Sequence, residues 1–120
     1  MPGQDKMPGK TISEICEALN ATVHVAGDES KTVERAAVGD LLSFVMGGDS
    51  DGAAWITIQT HLNVAAVAVL KEMPMIIIAA GRVPAADLTA RCEEENITLV
   101  TSPDSIFGTC ATLGRLGLEG

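Results

Sequence analysis

Five consecutive apolar residues, Met75, Ile76, Ile77, Ile78 and Ala79, constrain this chain more than any other stretch of it. A strand with one face in water alternates apolar and polar side chains. A run without alternation belongs to a strand covered on both faces, the situation inside a parallel sheet flanked by helices. The neighbouring segments repeat that logic. The spacing predicts strands over residues 53–58, 75–79 and 97–100, with a helix after each. Thr60 opens the first helix, which runs to about Lys71; the second starts at Pro84 or Ala85 and ends at Glu95; Ser102 and Pro103 open the third, which reaches Leu116. This alternation predicts an α/β fold, a single compact domain whose mainly parallel sheet is flanked by helices on both faces.

Upstream the pattern is less regular. Residues 1–10 hold two Met-Pro-Gly triplets and read as a flexible tail, so the domain is expected over residues 11–118. Thr11 followed by Glu14 fits a capping box, and Ile12, Ile15, Cys16 and Leu19 then share one helical face, with the helix ending near Asn20. Short strands are expected over residues 22–25 and 33–38. Asp40 is placed to cap a short helix carrying Leu41, Leu42, Phe44 and Val45.

Charge excludes several classes of partner. Eight Lys and Arg against sixteen Asp and Glu leave a formal charge of −8 on 120 residues. The basic residues are scattered singly, so neither a nucleic acid nor an anionic membrane surface is expected. With 47% hydrophobic and 20% charged residues, the chain is too apolar to remain disordered. The longest apolar run, residues 73–80, is too short to span a bilayer, and no signal-peptide segment opens the chain, so the cytoplasm is the expected location. Cys16, Cys92 and Cys110 are odd in number and far apart, which suggests core residues rather than a disulfide framework or a metal pair.

Familiar motifs fail on chemical grounds. The loop from Ala26 to Thr32 ends in Lys-Thr after a strand, as a phosphate-cradling loop does, but Val25 and Ser30 stand where glycines are needed, and Asp28 and Glu29 would repel phosphate. Asp49-Ser50-Asp51-Gly52 has two acids of a calcium loop and lacks the distal glutamate. His24 and His61 have no metal-spaced partner, and His24 reads as structural. No nucleophile and base pair can be named, so the sequence assigns no catalytic residue, metal or cofactor.

The informative positions lie where strands end. In a parallel sheet, the carboxyl ends of strands feed helix N-termini, whose free N–H groups and positive dipole end favour anions. Three such junctions place Thr60, His61, Asn63, Gly81, Arg82 and Ser102 along one crevice as candidate ligand contacts. The plainer alternative is that Thr60 and Ser102 are N-caps, Gly81 a turn glycine and Arg82 a solvated charge. Residues 64–70, Val-Ala-Ala-Val-Ala-Val-Leu, are apolar all round, so the helix must be covered on more than one face, by a second subunit or by a neighbouring helix.

Four segments also carry a resemblance: Thr11-Ile12-Ser13-Glu14-Ile15; Val38-Gly39-Asp40-Leu41-Leu42 with the later stretch from Ala54 to His61; Met75 to Ile78 running into Gly81 and Pro84; and Leu99 to Ser105. Together they make residues 11–118 similar to the DRTGG domain. That family is related to the N-terminal domain of HPr kinase/phosphorylase. It also occurs in the middle of some phosphotransacetylases and between the CBS domains of some regulated pyrophosphatases. Two departures stand out: Ala79-Ala80-Gly81 replaces the family's Thr-Gly-Gly, and Thr60-His61 stands where its Asp-Arg would fall. The resemblance implies an α/β domain that dimerises and serves regulation; it does not imply kinase activity, which in the HPr enzyme belongs to a separate P-loop domain. The expected function is a non-catalytic, homodimeric regulatory domain that senses a small anionic metabolite or nucleotide. The alternative is an adaptor that docks on a metabolic enzyme and has no ligand of its own.

Overall fold

The isoleucine run forms the strand it predicts, and that strand sits at the centre of the sheet. In the computed structural model, which describes residues 9–39 and 52–120, the elements are β1 (Lys10–Thr11), α1 (Ile12–Leu19), β2 (Thr22–Val25), β3 (Thr32–Val33), β4 (Ala36–Val38), β5 (Ala54–Thr57), α2 (Asn63–Leu70), β6 (Met75–Ile78), α3 (Ala86–Glu95), β7 (Thr98–Thr101) and α4 (Ile106–Arg115). The main sheet has five strands in the order β2-β7-β6-β5-β4. Strands β4 to β7 are parallel, and β2 is antiparallel to β7. A small second sheet pairs β1 with β3.

Alternation within each central strand sends side chains to two cores. Trp55, Ile76, Ile78 and Leu99 face α2 and α3, where they meet Val64, Ala65, Val67, Ala68, Leu88 and Cys92. Ala54, Ile56, Met75, Ile77 and Val100 face α1 and α4, against Ile12, Ile15, Cys16, Leu19 and Leu113. Burying one such Ile or Leu is worth roughly 1.5–3 kcal/mol, so the doubly covered centre anchors the fold. Both crossover helices, α2 and α3, lie on one face, as successive crossovers of one hand moving one way across a sheet must.

Local chemistry sets the ends of α1. Thr11 Oγ1 accepts from Glu14 N at 3.1 Å while the Glu14 carboxylate accepts from Thr11 N at 2.8 Å, the expected capping box. Those bonds to Thr11 hold the Glu14 carboxyl below the usual carboxylate range. Asn20, in the left-handed conformation, ends the helix.

Four expectations change. Residues 33–38 do not form one strand: Thr32–Val33 pairs with β1, Ala36–Val38 joins the main sheet, and between them Arg35 bridges to Glu119. Lys10, placed in the tail by composition, is paired with Val33. The first crossover helix begins at Asn63 rather than Thr60, because the Thr60 carbonyl accepts from Ala85 N at 3.0 Å and the chain turns once more before winding. The last helix begins at Ile106, capped by Ser105 rather than Ser102, since Ser102 still belongs to the strand ladder, its N–H donating to the Ile78 carbonyl at 2.8 Å. The helix expected after Asp40 lies outside the described residues. Among those described, no helix is long and apolar enough to cross a membrane.

Candidate functional site

The carboxyl ends of β5, β6 and β7 form a rim built from residues 58–62, 79–85 and 102–105. A tight turn closes the middle segment. Ala80 and Gly81 both have positive φ, 62° and 67°, and Arg82 N reaches the Ala79 carbonyl at 3.4 Å. Ala80 N donates to the Asp104 carbonyl and Gly81 N to the Ser102 carbonyl, at 2.6 and 2.9 Å, so the β6 and β7 segments hold each other. An alanine in the left-handed region costs roughly 1–2 kcal/mol, of which glycine's larger unfolded-state entropy gives back part. Ala80→Gly is therefore expected to stabilise the protein by about 0.5–1 kcal/mol, read as an upward shift of the urea midpoint; a downward shift would mean that the turn carries no strain.

The six candidate residues are not equivalent in this rim. His61, Asn63, Gly81 and Arg82 are exposed and Thr60 is half-buried. The Arg82 guanidinium leans across the end of β5, with a long contact of 3.5 Å to the Ile58 carbonyl. Ser102 is the correction: it is fully buried, its hydroxyl is shared with Thr109 Oγ1 at 2.8 Å, and it accepts from Asp104 N at 3.3 Å. It supports the rim from inside.

The helix N-termini differ as well. At α4, Ser105 Oγ accepts from Gly108 N at 3.0 Å, and the Asp104 carboxylate occupies the space a Cβ on Gly108 would need, at 2.5 Å. That terminus already holds its own anion. The first turn of α3 carries Asp87. The first turn of α2 carries no acid, and its N-cap position, Leu62, makes no side-chain cap bond. Of the three termini, that of α2 alone has neither an acid in its first turn nor a side-chain cap.

The cysteines are not poised as nucleophiles. Burial pushes the Cys16 and Cys92 thiols up to about 11 and raises Cys110, so all three stay protonated near neutrality. No cluster of His, Cys, Asp or Glu suited to a metal ion exists among the described residues. Among the described residues, two grooves lie away from the rim. One, of about 150 Å³, is walled by Ala36, Val38, Ile56, Cys110 and Leu113; the other, of about 370 Å³, lies at the opposite end of the sheet near Lys31, Pro74 and Asn96.

Residue reading missed Ser105, Asp104 and Thr101. The Ser105 signal was present, since the apolar period of the last helix starts at Ile106 and a cap stands immediately before the first periodic residue.

No protein-family model matches this chain. No curated protein matches it either. A solved structure does: the CBS and DRTGG domains of the regulatory region of Clostridium perfringens pyrophosphatase, complexed with its activator diadenosine tetraphosphate, is similar with a TM-score of 0.74 and 18% identity. The match covers 87% of this chain and 46% of that one, so the present chain spans less than half its length. At that identity the likeness shows a shared fold.

Proposed function

We propose that this protein is a non-catalytic regulatory domain that forms a homodimer and senses a small anionic metabolite or nucleotide at the rim. One observation carries the reading: of the three helix N-termini along the rim, that of α2 has neither an acid in its first turn nor a side-chain cap, and the Arg82 guanidinium reaches the Ile58 carbonyl on the segment that leads to it, at 3.5 Å. Thr60, His61, Asn63, Gly81 and Arg82 are the proposed contacts, with Ser102 as their support. A chain of net charge −8 with scattered cations suits a small anion better than a polyanion. The similar structure supports the reading, as a regulatory region complexed with a nucleotide activator.

ATP is the first probe. At roughly 100 times its dissociation constant, linkage adds about 2.7 kcal/mol, several degrees in the melting temperature of a domain this size. Arg82→Ala or His61→Ala is expected to remove most of that shift. A melting temperature unmoved by a panel of nucleotides and acyl phosphates would overturn the ligand reading.

The outer flank of α2 supports dimerisation: Leu62, Ala66, Val69 and Leu70 are exposed, Leu70 at 63%, although the helix is apolar on every side. The same flank favours a second reading, an adaptor docking on a metabolic enzyme, since the similar fold belongs to a longer regulatory region. Light scattering separates the two, because the isolated adaptor would show the monomer mass of 12.4 kDa.

A further inference from the structure

Behind the rim, three polar groups from three segments are linked. His24 Nε2 on β2 lies 2.7 Å from Thr101 Oγ1 on β7, and that hydroxyl donates to the main-chain oxygen of Arg82 at 2.9 Å. A hydroxyl has one proton. With that proton spent on the Arg82 carbonyl, the contact to His24 is satisfied only when Nε2–H donates to Thr101, which fixes the imidazole tautomer. The tautomer protonated on Nδ1 would draw the threonine proton away from Arg82. Thr101 is buried and registered against Ile78 on one side and Thr22 on the other, so the donor it offers is rigid. The turn it steadies contains the strained Ala80.

We propose that His24 is a positioning residue for Arg82, acting through Thr101, an inference that rests on the rim being the ligand site. By orienting the threonine proton it fixes the peptide plane after Arg82, and with it the direction in which the guanidinium leaves the turn. Cooperative bonding along the chain makes the second bond stronger when the first is present.

Nuclear magnetic resonance of the full, isotope-labelled chain tests this without a ligand. Proton–nitrogen correlations of the imidazole should report the Nε2–H form. The Arg82 carbonyl resonance should move in His24→Leu and in the near-isosteric Thr101→Val, and return in His24→Gln, whose side-chain N–H takes the place of Nε2–H. With ATP as probe, the dissociation constant should rise about threefold to tenfold in His24→Leu and recover in His24→Gln. An Nδ1–H tautomer, or an Arg82 carbonyl indifferent to His24→Leu, overturns the proposal. If the carbonyl responds while the parent chain binds no ATP, the linkage to the loop is upheld and the nucleotide reading fails instead.

Discussion

Trp55→Ala is expected to remove about 3–5 kcal/mol of stability, the upper range for truncating a buried aromatic. Trp55 is wholly buried in the centre of the core beneath α2 and α3, and its indole N–H donates to the Gly39 carbonyl at 3.0 Å. Two losses combine in the alanine variant: a large cavity, and a carbonyl at the end of β4 deprived of its donor. Trp55→Phe separates them, keeping most of the apolar volume, and should cost about 1–3 kcal/mol, chiefly for the unmet carbonyl. Domains commonly have only about 5–15 kcal/mol in total, so the alanine variant should be close to unfolding at body temperature. Urea titration followed by far-ultraviolet circular dichroism measures both, because the substitution removes the chain's one tryptophan and its fluorescence. A cost below about 1 kcal/mol for Trp55→Ala would contradict the described core.

The second large effect comes from a glycine. Gly27 has φ of +59°, and a Cβ there would stand 2.7 Å from Thr98 Oγ1 and 3.0 Å from Thr98 N. Neither atom is free to retreat, since the hydroxyl donates to the Ala26 carbonyl at 2.7 Å and the amide to the Pro74 carbonyl at 3.1 Å. Gly27→Ala thus adds overpacking to backbone strain, and a loss of about 2–4 kcal/mol is expected. Gly81 is the control. Its φ is +67° with nothing within 4 Å of an added Cβ, so Gly81→Ala should cost only the conformational part, about 1–2 kcal/mol. Equal losses at the two positions, measured by urea unfolding, would show that crowding at Thr98 contributes nothing.

The contrast between strands and caps explains what the sequence disclosed. The isoleucine run was legible because lack of alternation over consecutive positions has one physical meaning in a sheet, and both flanking cores followed from it. Thr60 and Ser102 were misread because an isolated Thr or Ser is an equally good cap, turn residue or ladder member. Long-range bonds decided among those roles: Ala85 N to the Thr60 carbonyl, and Ser102 N to the Ile78 carbonyl. The apolar character of residues 64–70 was visible from the outset, yet only the fold showed which flank of α2 remains in solvent. His24 and Thr101 stand 77 positions apart, and no local pattern in either segment announces their contact. The antiparallel placement of β2 is of the same kind, fixed by pairing with β7 rather than by anything within residues 22–25.

Lys10 pairs with Val33, while Glu119 N donates to the Glu34 carbonyl and Ala36 N to that of Glu119. Residues 33–36 thus hold both β1 and the segment at Glu119 on a single short stretch. Tension drawn between these two segments would load residues 33–36 before it reached the central strands β5, β6 and β7.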